Sequence, residues 1–344
     1  MSSPQSPSSP SSPSSAGSIL RQIGAYRVSA AIVAGLELGL FAALAEGPLD
    51  GAAVAARVGA AAHGVRVLLN ALVVSGLLVR EGAAYALTPG ARAHLVPGAP
   101  GYLGEVVPVL AEPRMWGDFR GLADTLRRGG EAPDPEADAG GHPFWQTFAR
   151  HSVSLASTSA NALANHIAPW FAERPAVRLL DVACGAGVYG LTLAQRFGQT
   201  EATLLDWPHV LSEVRPRAEQ RGVAHRVRYL EGDLRHLDFG GPYDLVLLSN
   251  IMHHFDRASN VALARRAAAA LAPGGRLVVQ AIVDDENSHA SAMFSLMMLT
   301  LHHRGEVYPA DAYAGIIVEA GFQAPSTLAG YSSEPTRFFI ADWP

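Results

Sequence analysis

One acid and two glycines follow an apolar run in the second half of the chain. Leu179–Gly187 reads LLDVACGAG, with Asp181 at the end of a predicted strand and Gly185 and Gly187 in the turn behind it. Asp206 stands at the end of a second apolar run. A strand, a glycine turn, a helix start and an acid about twenty residues on are the parts of a nucleotide-binding βαβ unit. In such a unit the acid accepts hydrogen bonds from ribose hydroxyls, so the pattern predicts a nucleotide ligand.

Apolar runs and helical segments alternate from Val177 onward. The predicted strands are 177–183, 202–206, 227–230, 244–249, 276–283 and 337–341, the last as a closing edge strand. This alternation favours an α/β fold with a Rossmann-like, doubly wound and mostly parallel sheet. A helix carrying Phe144, Trp145 and Phe148 is predicted before the sheet, from Pro143 to about His166.

The front half of the chain has a helical pattern. A mostly apolar helix predicted over 19–45 must be covered, and a partner subunit is one way to cover it. Two shorter helices are predicted next, one with Asp50 as its N-cap and one over 65–76 that closes at Gly76. Two short strands at 77–80 and 84–88 follow. Helix, helix and hairpin are the outline of a winged helix.

Composition excludes several classes of function. With 344 residues, 49% hydrophobic and 17% charged, the chain is long and apolar enough for two globular domains. No apolar run approaches the roughly 20 residues that span a bilayer, and the Ser- and Pro-rich start lacks a signal-peptide pattern. All 26 basic residues are arginine, which excludes lysine chemistry and, with abundant Ala, Gly and Pro, indicates a GC-rich bacterial genome. The net charge of −5 argues against a nucleic-acid surface, and the single Cys184 suits the cytoplasm.

The glycine turn has a spacing of its own. A dinucleotide turn is written GxGxxG, whereas this stretch reads Asp181-x-Ala183-x-Gly185-x-Gly187 and resembles the S-adenosylmethionine turn of class I methyltransferases. Further motifs come in that family's order and spacing: Asp206–Val210, Glu231–Leu234, Asp244–Phe255 and Leu271–Leu277. Together with the winged-helix outline, the chain resembles the two-domain small-molecule O-methyltransferases of the caffeate type.

This resemblance implies a methyltransferase that uses S-adenosyl-L-methionine, acts on a phenolic or polyketide-like acceptor and forms a homodimer through its N-terminal helical domain. It implies a disordered tail over 1–17, a winged-helix dimerisation domain over 18–105, a helical linker and acceptor-pocket segment over 106–170, and a catalytic domain over 171–344. The cofactor-binding residues that it implies are Asp181, Ala183, Gly185, Gly187, Asp206, Trp207, Asp233, Leu234 and Ser249.

The resemblance also assigns a general base. In the family this is the histidine after the fourth strand, which maps onto His253, with His254 beside it as a supporting or helix-start residue. A neutral imidazole, with a pKa of about 6.5, can take the proton of a phenol at physiological pH. The family steers this histidine with two acids, but their positions here map onto Ala281 and onto Ala341 or its neighbour Asp342. Nearby acids that could substitute are Asp284, Asp285 and Glu286.

For the acceptor pocket, the family's helices imply a lining of Met115, Trp116, Phe144, Trp145, Phe148, Met297, Met298 and His302. The histidines of this region, His289, His302 and His303, have neither the helical i, i+4 spacing nor the close acid of a metal site, so no metal is predicted.

Two other interpretations stay open at this point. The missing acids leave room for methylation of carbon or nitrogen, or for chemistry that uses the same cofactor without methyl transfer. The winged helix alone would suggest a DNA-binding regulator. Six arginines against four acids over 17–100 are too small a surplus for a phosphate-tracking face, and the segment 65–76 is mostly apolar.

Overall fold

The computed structural model describes residues 15–129, 142–285, 288–301, 305–330 and 335–344. The chain divides into two compact units, Met1–Val107 and Pro108–Pro344. The tail predicted over 1–17 lies outside the described residues up to position 14, and Ala16 and Gly17 belong to the first helix.

The first unit is mainly helical, with a small antiparallel sheet. Its helices are α1 (Ala16–Ile23), α2 (Tyr26–Glu37), α3 (Leu40–Ala43), α4 (Gly51–Val58), α5 (Ala62–Val74) and α6 (Pro89–Leu95). Its strands, in the order β1-β3-β2, are β1 (Leu49–Asp50), β2 (Leu78–Glu81) and β3 (Ala84–Leu87). Asp50 Oδ1 accepts a hydrogen bond from the backbone N–H of Ala53 at 2.8 Å, which confirms the predicted N-cap.

The single helix predicted over 19–45 is wrong. Three helices occupy this stretch, and the breaks fall at Gly24 and Gly39. Gly39 has a φ of 69°, a left-handed conformation that ends a helix and that glycine adopts at no steric cost. The apolar pattern runs on through both glycines, and so it concealed the breaks.

The second unit alternates helices and strands. Its helices are α7 (Val107–Leu110, beginning at the unit boundary), α8 (Pro113–Arg120), α9 (Leu122–Arg127), α10 (Pro143–His151), α11 (Val153–Ala172), α12 (Val188–Arg196), α13 (Pro208–Gln220), α14 (Arg257–Ala270), α15 (His289–Leu301) and α16 (Ala310–Glu319). Its strands are β4 (Val177–Val182), β5 (Thr200–Asp206), β6 (Val227–Glu231), β7 (Tyr243–Ser249), β8 (Leu271–Ile282), β9 (Ser326–Ala329) and β10 (Thr336–Asp342).

Within the described ranges these strands form one sheet of seven, in the order β6-β5-β4-β7-β8-β10-β9. The first five are parallel, and β10 is antiparallel to both of its neighbours. The doubly wound, mostly parallel sheet is therefore confirmed. The edge position predicted for 337–341 is wrong, because the short strand β9 lies outside β10 and has no apolar run that would reveal it.

Two further sequence predictions need correction. The helix predicted from Pro143 to His166 is two helices, α10 and α11, separated at Ser152, where serine and β-branched residues weaken the helical turn. Strand β8 begins at Leu271 rather than at 276. Its first residue pairs with Tyr243 across a bulge, although Pro273 and two glycines give that stretch the composition of a turn.

Alternate residues of each central strand face opposite layers of the core. Leu179 of β4, Leu247 of β7 and Val278 of β8 pack in one cluster with residues of α11 and α12. Leu180, Leu248 and Val279 pack in the other, with residues of α14 and α16. The parity of a strand residue therefore tells which layer it faces.

No single helix among the described residues is long and apolar enough to cross a membrane. The bent pair Gly51–Val58 and Ala62–Val74 meets the length and composition test only when its two helices are taken together.

Candidate active site

Polar residues line the carboxyl edge of the parallel strands on the layer that contains α11 and α12. They are Glu231, Asp206, Asp181, Ser249 and Gln280, from β6, β5, β4, β7 and β8, and we call them the polar row. Pairing sets Asp206 level with Glu231, and Ser249 level with Gln280. Asp181 is paired with Leu204 and Leu247, so it lies about two residues further from the carboxyl edge than Asp206 and Ser249. The row marks the edge at which parallel α/β sheets bind ligands.

The turn after β4 is built from left-handed residues. Ala183, Gly185 and Gly187 have φ values of 54°, 53° and 70°. Such a φ is uncommon for alanine, and strained backbone of this kind concentrates at functional sites. The backbone N–H of Gly185 donates to Asp206 Oδ2 at 2.8 Å, which ties the turn to the end of β5. A Cβ on Gly185 would meet nothing within 4 Å, so its backbone faces open space.

Gly190, in the first turn of α12, supports the turn through packing, and the sequence predictions did not include it. Its N–H donates to Asp181 Oδ2 at 2.9 Å. A Cβ at this position would lie 2.5 Å from Leu204 Cδ2 and 2.9 Å from Asp181 Oδ2. The signal was present, because Gly185, Gly187 and Gly190 do make a GxGxxG pattern. Its third glycine provides close packing between helix and strand.

We expect Gly190→Ala to destabilise the protein by about 1–3 kcal/mol, because the added methyl overlaps buried atoms that cannot move freely. The urea midpoint of unfolding measures this loss. Gly198→Ala is the matched control, because a Cβ there meets nothing within 4 Å. Equal midpoints for the two variants would contradict this account of Gly190.

The two acids of the row nearest the turn are both buried. Burial raises the pKa of Asp181 to about 7; the Gly190 N–H opposes this rise and the charge of Asp206 adds to it. Burial likewise raises the pKa of Asp206 to about 6, against hydrogen bonds from the N–H groups of Gly185 and Trp207. Two carboxylates are therefore held at the edge of the sheet at a cost in stability.

This cost predicts a pH dependence. Between pH 3.8, the ordinary pKa of the carboxyl, and about pH 7, the folded protein binds a proton at Asp181 that the unfolded chain has lost. The contribution of Asp181 to the free energy of unfolding is therefore largest at low pH and decreases as pH rises towards 7. The free energy of unfolding of the wild type should therefore fall between about pH 5 and about pH 7.5. In Asp181→Asn we expect this fall to be smaller by on the order of 2–3 kcal/mol. Urea unfolding of the ligand-free protein at both pH values measures it, and parallel pH profiles for the two proteins would contradict it.

Asp233 and Leu234 follow β6 at the same edge. The Asp233 carboxylate binds Arg235 through contacts of 2.7 Å to Nη2 and 3.1 Å to Nε. Partial burial is the largest single influence on the pKa of Asp233 and raises it. The hydrogen bonds and charge of Arg235 together have a greater effect in the opposite direction, so the pKa lies below its ordinary value. Leu234 packs, partly buried, against the second core cluster. Much of the hydrogen-bonding capacity of Asp233 is therefore already used.

Aromatic rings extend from the end of β5 to the segment after β7. Trp207 directly follows Asp206, and its ring centroid lies 6.1 Å from that of Trp145 in α10. Trp145 also meets the His254 ring edge-on at 5.5 Å. Helix α10 is held to α13 by Glu213, which accepts hydrogen bonds from Gln146 and Arg150. Trp145 thus links Trp207, the residue after Asp206, to the histidine pair.

The histidine pair occupies a short 3-10 turn, Met252–His254, just after β7. Asn250, which leads into it, has a φ of 54°, and Asn260 Nδ2 donates to the carbonyl of Met252 at 2.8 Å. These anchors fix the turn, and sequence reasoning missed both asparagines. His253 is buried at 4% exposure, and its ring lies edge-on to Phe294 at 5.0 Å. The His254 ring lies 4.5 Å from it.

The structure corrects one prediction about acids near His253. Because β10 is antiparallel, Ala341 pairs with Leu277 and Asp342 with Arg276, at the opposite edge of the sheet from the turn. Asp342 also binds the Arg276 guanidinium at 2.7 Å, so neither position can steer His253. Ala281 is buried near the end of β8 and offers no carboxylate.

Of the three acids predicted to substitute for them, two lie among the described residues. Asp284 and Asp285 are exposed, and Glu286 lies outside the described residues. Within the described ranges, no group of three His, Cys, Asp or Glu side chains could hold a metal ion.

Most of the predicted acceptor residues lie together. Met115 and Met298 form one cluster with Leu301, and Phe144, Phe294 and Met297 pack against it. Phe148 lies 6.2 Å from Phe144 and 6.3 Å from Trp145, ring to ring. Because Phe294 also meets His253, this apolar cluster adjoins the buried imidazole. Trp116 is 39% exposed and lies outside the cluster, and His302 falls outside the described residues.

Comparison with known proteins identifies the family. Residues 148–323 match the model of an O-methyltransferase domain, and residues 20–97 that of an O-methyltransferase dimerisation domain. The chain is 28% identical over 308 residues to 3-hydroxy-5-methyl-1-naphthoate 3-O-methyltransferase of Streptomyces sahachiroi, with 86% of each chain covered. It is 30% identical over 321 residues to acetylserotonin O-methyltransferase of Mus musculus, covering 86% of this chain and 81% of that one.

A solved structure agrees at the level of fold. Human N-acetylserotonin methyltransferase in complex with SAM superposes with a TM-score of 0.76 at 23% identity, covering 94% of this chain and 96% of that one. The parallel sheet and its glycine turn are therefore those of a class I methyltransferase, with S-adenosyl-L-methionine as methyl donor. Within that class, the chain belongs to the O-methyltransferase family and carries that family's dimerisation domain.

Proposed function

We propose that this enzyme methylates a phenolic hydroxyl of a small aromatic or polyketide-like acceptor, with His253 as the general base. The observation that carries the proposal is the position of His253, buried between the strand edge and a cluster of phenylalanine and methionine side chains. An apolar pocket of this composition suits a flat aromatic molecule. The naphthoate acceptor in the name of the Streptomyces relative belongs to the same chemical class.

The polar row and its turn fit the cofactor. Asp181 Oδ1 and Ser249 Oγ are buried and have no hydrogen-bond partner in the part of the chain that the structure describes, as expected of atoms that contact a ligand. Each carboxylate oxygen of Asp206 accepts one backbone N–H and keeps capacity for a ribose hydroxyl. In this proposal the cofactor is bound by Asp181, Ala183, Gly185, Gly187, Asp206, Trp207, Asp233, Leu234 and Ser249. S-adenosylmethionine supplies an electrophilic methyl group on a sulfonium that carries its own leaving group.

The chain's own task is then to bind, orient and deprotonate the acceptor. A phenol has a pKa of about 10 and is a weak nucleophile until it loses its proton. His253 takes that proton at an imidazole nitrogen and returns it to solvent after transfer. Its anchored turn holds the ring in place, and the apolar side chains of Phe294 and Met298 exclude water from the acceptor oxygen. Phe144, Trp145, Phe148, Met115 and Met297 complete the proposed pocket, with Trp116 at its margin.

Transfer of a labelled methyl group to a panel of phenols tests this function. We expect label in at least one phenolic product and none in the matching methyl ethers, whose oxygen is already blocked. Label on carbon or nitrogen would assign a different methylation, and cofactor binding without transfer to any acceptor would count against the proposal.

We further propose a cytoplasmic homodimer joined through the first unit. Helices α1 and α2 expose Leu20, Ile23 and Tyr26 at 64–69%, an apolar face that a second copy would cover. The match of residues 20–97 to a dimerisation domain supports this. Sedimentation of the full chain tests it, and a monomer at micromolar concentration would oppose it.

A further inference from the structure

Gln280 is a buried polar side chain for which the proposed reaction has so far no use. It lies near the carboxyl end of β8 at 2% exposure. Its Oε1 is buried and has no hydrogen-bond partner among the described residues. A buried amide oxygen left unpaired costs free energy, and an apolar residue of the same size would avoid that cost. Its presence therefore points to a partner outside the chain.

The surroundings of Gln280 contain two further buried oxygens of this kind. Gln280 lies two residues after Val278 on β8, so both residues face the same layer of the core. Phe338, which pairs with Gln280 on β10, also faces this layer. Ser249, its register partner on β7, has a buried Oγ that likewise lacks a hydrogen-bond partner within the described ranges. The N–H of Asn250 donates to the Gln280 carbonyl at 2.8 Å, so the two strand ends are fixed together. Asn250 Oδ1 is likewise buried without a partner among the described residues, so three side-chain oxygens with unused hydrogen-bonding capacity lie at these two strand ends.

The place of Gln280 in the row is distant from Asp206, the acid proposed to hold the ribose. Three strand spacings, about 14 Å, lie between the strands of Asp206 and Gln280. The five bonds from a ribose hydroxyl oxygen to the methyl carbon of S-adenosylmethionine span at most about 7 Å. With the reach of the Asp206 side chain and its hydrogen bond to the ribose added, the transferring methyl can lie up to about 13 Å from the strand of Asp206. Gln280 is therefore closer to the methyl, which the acceptor oxygen must approach, than to the ribose.

The charge of the row limits what Gln280 can bind. Gln280 and its neighbour Ser249 are uncharged, so this end of the row offers no opposite charge to an anionic group on the ligand. An amide oxygen requires a donor, and a hydroxyl is the neutral donor that aromatic methyl acceptors carry.

We propose that Gln280 Oε1 accepts a hydrogen bond from a second hydroxyl of the acceptor, adjacent to the hydroxyl that is methylated. Gln280 then selects vicinal diols of the catechol type over single phenols. This inference rests on the proposed function, since it assigns the acceptor class of the same site.

The test compares 2,3-dihydroxynaphthalene with 2-naphthol, which differ by the second hydroxyl alone. We expect kcat/KM of the wild-type enzyme to favour the diol by about tenfold, the value of one neutral hydrogen bond. In Gln280→Leu this preference should disappear because kcat/KM for the diol falls to about the value for 2-naphthol. Ser249→Ala is the matched control: it removes the neighbouring unpaired oxygen and should lower the turnover of both naphthols by the same factor.

Binding gives a readout that does not need turnover. In titrations with S-adenosylhomocysteine present, Gln280→Leu should weaken binding of the diol but not of 2-naphthol, and its melting temperature should match or exceed that of the wild type. A diol preference that survives in Gln280→Leu, in turnover and in binding, would overturn the inference. Weaker S-adenosylhomocysteine binding with equal losses for both naphthols would instead assign Gln280 to the cofactor. If no phenol is methylated, the proposed function fails, and the titration still decides the role of Gln280.

Discussion

His253→Ala is expected to lower kcat for methyl transfer to a phenol by about 10²–10⁴-fold, the usual contribution of a positioned general base. The expectation follows from the position of the ring, buried after β7 and edge-on to Phe294 in the apolar cluster. Without the imidazole, only the small ionised fraction of the phenol is reactive near neutral pH. The loss should therefore shrink as pH approaches the pKa of the phenol. Single-turnover rates measured from about pH 7 to about pH 10 test both parts.

His254→Ala is the matched control, because it removes the adjacent ring, 4.5 Å away, from the same turn. We expect it to change kcat by less than about tenfold, through its packing on Trp145. Both variants should bind S-adenosylhomocysteine as the wild type does. An undiminished rate in His253→Ala would exclude proton abstraction by this residue and would reopen chemistry other than phenol methylation.

The edge of the sheet could be predicted from sequence because local patterns determine it. Each of β4, β5 and β7 is an apolar run with a polar residue at or next to its carboxyl end, and parallel pairing brings such ends together. The spacing of Asp181, Gly185 and Gly187 also fixes the turn, because the left-handed φ values at the glycines disfavour other residues.

Other features depend on contacts between distant parts of the chain. Nothing in Ala341 or Asp342 reveals that β10 runs antiparallel, yet that direction takes both to the wrong edge. The four residues of β9 lack an apolar pattern and become a strand only by pairing with β10. Asn260 reads as an ordinary helix residue, although its amide fixes the turn of His253. Such residues act through tertiary partners, which no local pattern encodes.

In the proposed reaction, neighbouring strands of the polar row have different roles. Glu231, at the end of β6, is engaged by Arg215 at 2.5 Å. Asp206 and Asp181 are buried acids on β5 and β4. Ser249 Oγ on β7 and Gln280 Oε1 on β8 have no hydrogen-bond partner among residues that the structure describes. Charge therefore decreases along the edge from the ribose-type acid towards the apolar cluster. This gradient suits a cationic methyl donor on one side and a neutral acceptor on the other.

Asp206→Ala should weaken binding of S-adenosylhomocysteine by at least about 100-fold. The carboxylate is proposed to accept ribose hydroxyls, and each charge-assisted hydrogen bond contributes about 1.5–3 kcal/mol. The substitution also leaves the N–H groups of Gly185 and Trp207 without their 2.8 Å acceptor, which loosens the turn that faces the cofactor. Isothermal titration of the purified protein measures the loss. Asp233→Ala provides the comparison at the same edge and should cost less than about tenfold, because Arg235 already occupies that carboxylate.

Asp206→Asn separates the two roles of this side chain. The amide keeps one acceptor oxygen for a backbone N–H but lacks the negative charge, so S-adenosylhomocysteine binding should fall between the wild type and Asp206→Ala. Burial raises the pKa of Asp206 to about 6, so its ionised form lowers stability at pH 8. The Asn variant should therefore melt at a higher temperature than the wild type at pH 8, with a smaller difference at pH 5. Stability and affinity then change in opposite directions, as expected of a residue kept for binding. Tight binding and unchanged melting in this variant would remove Asp206 from the cofactor site.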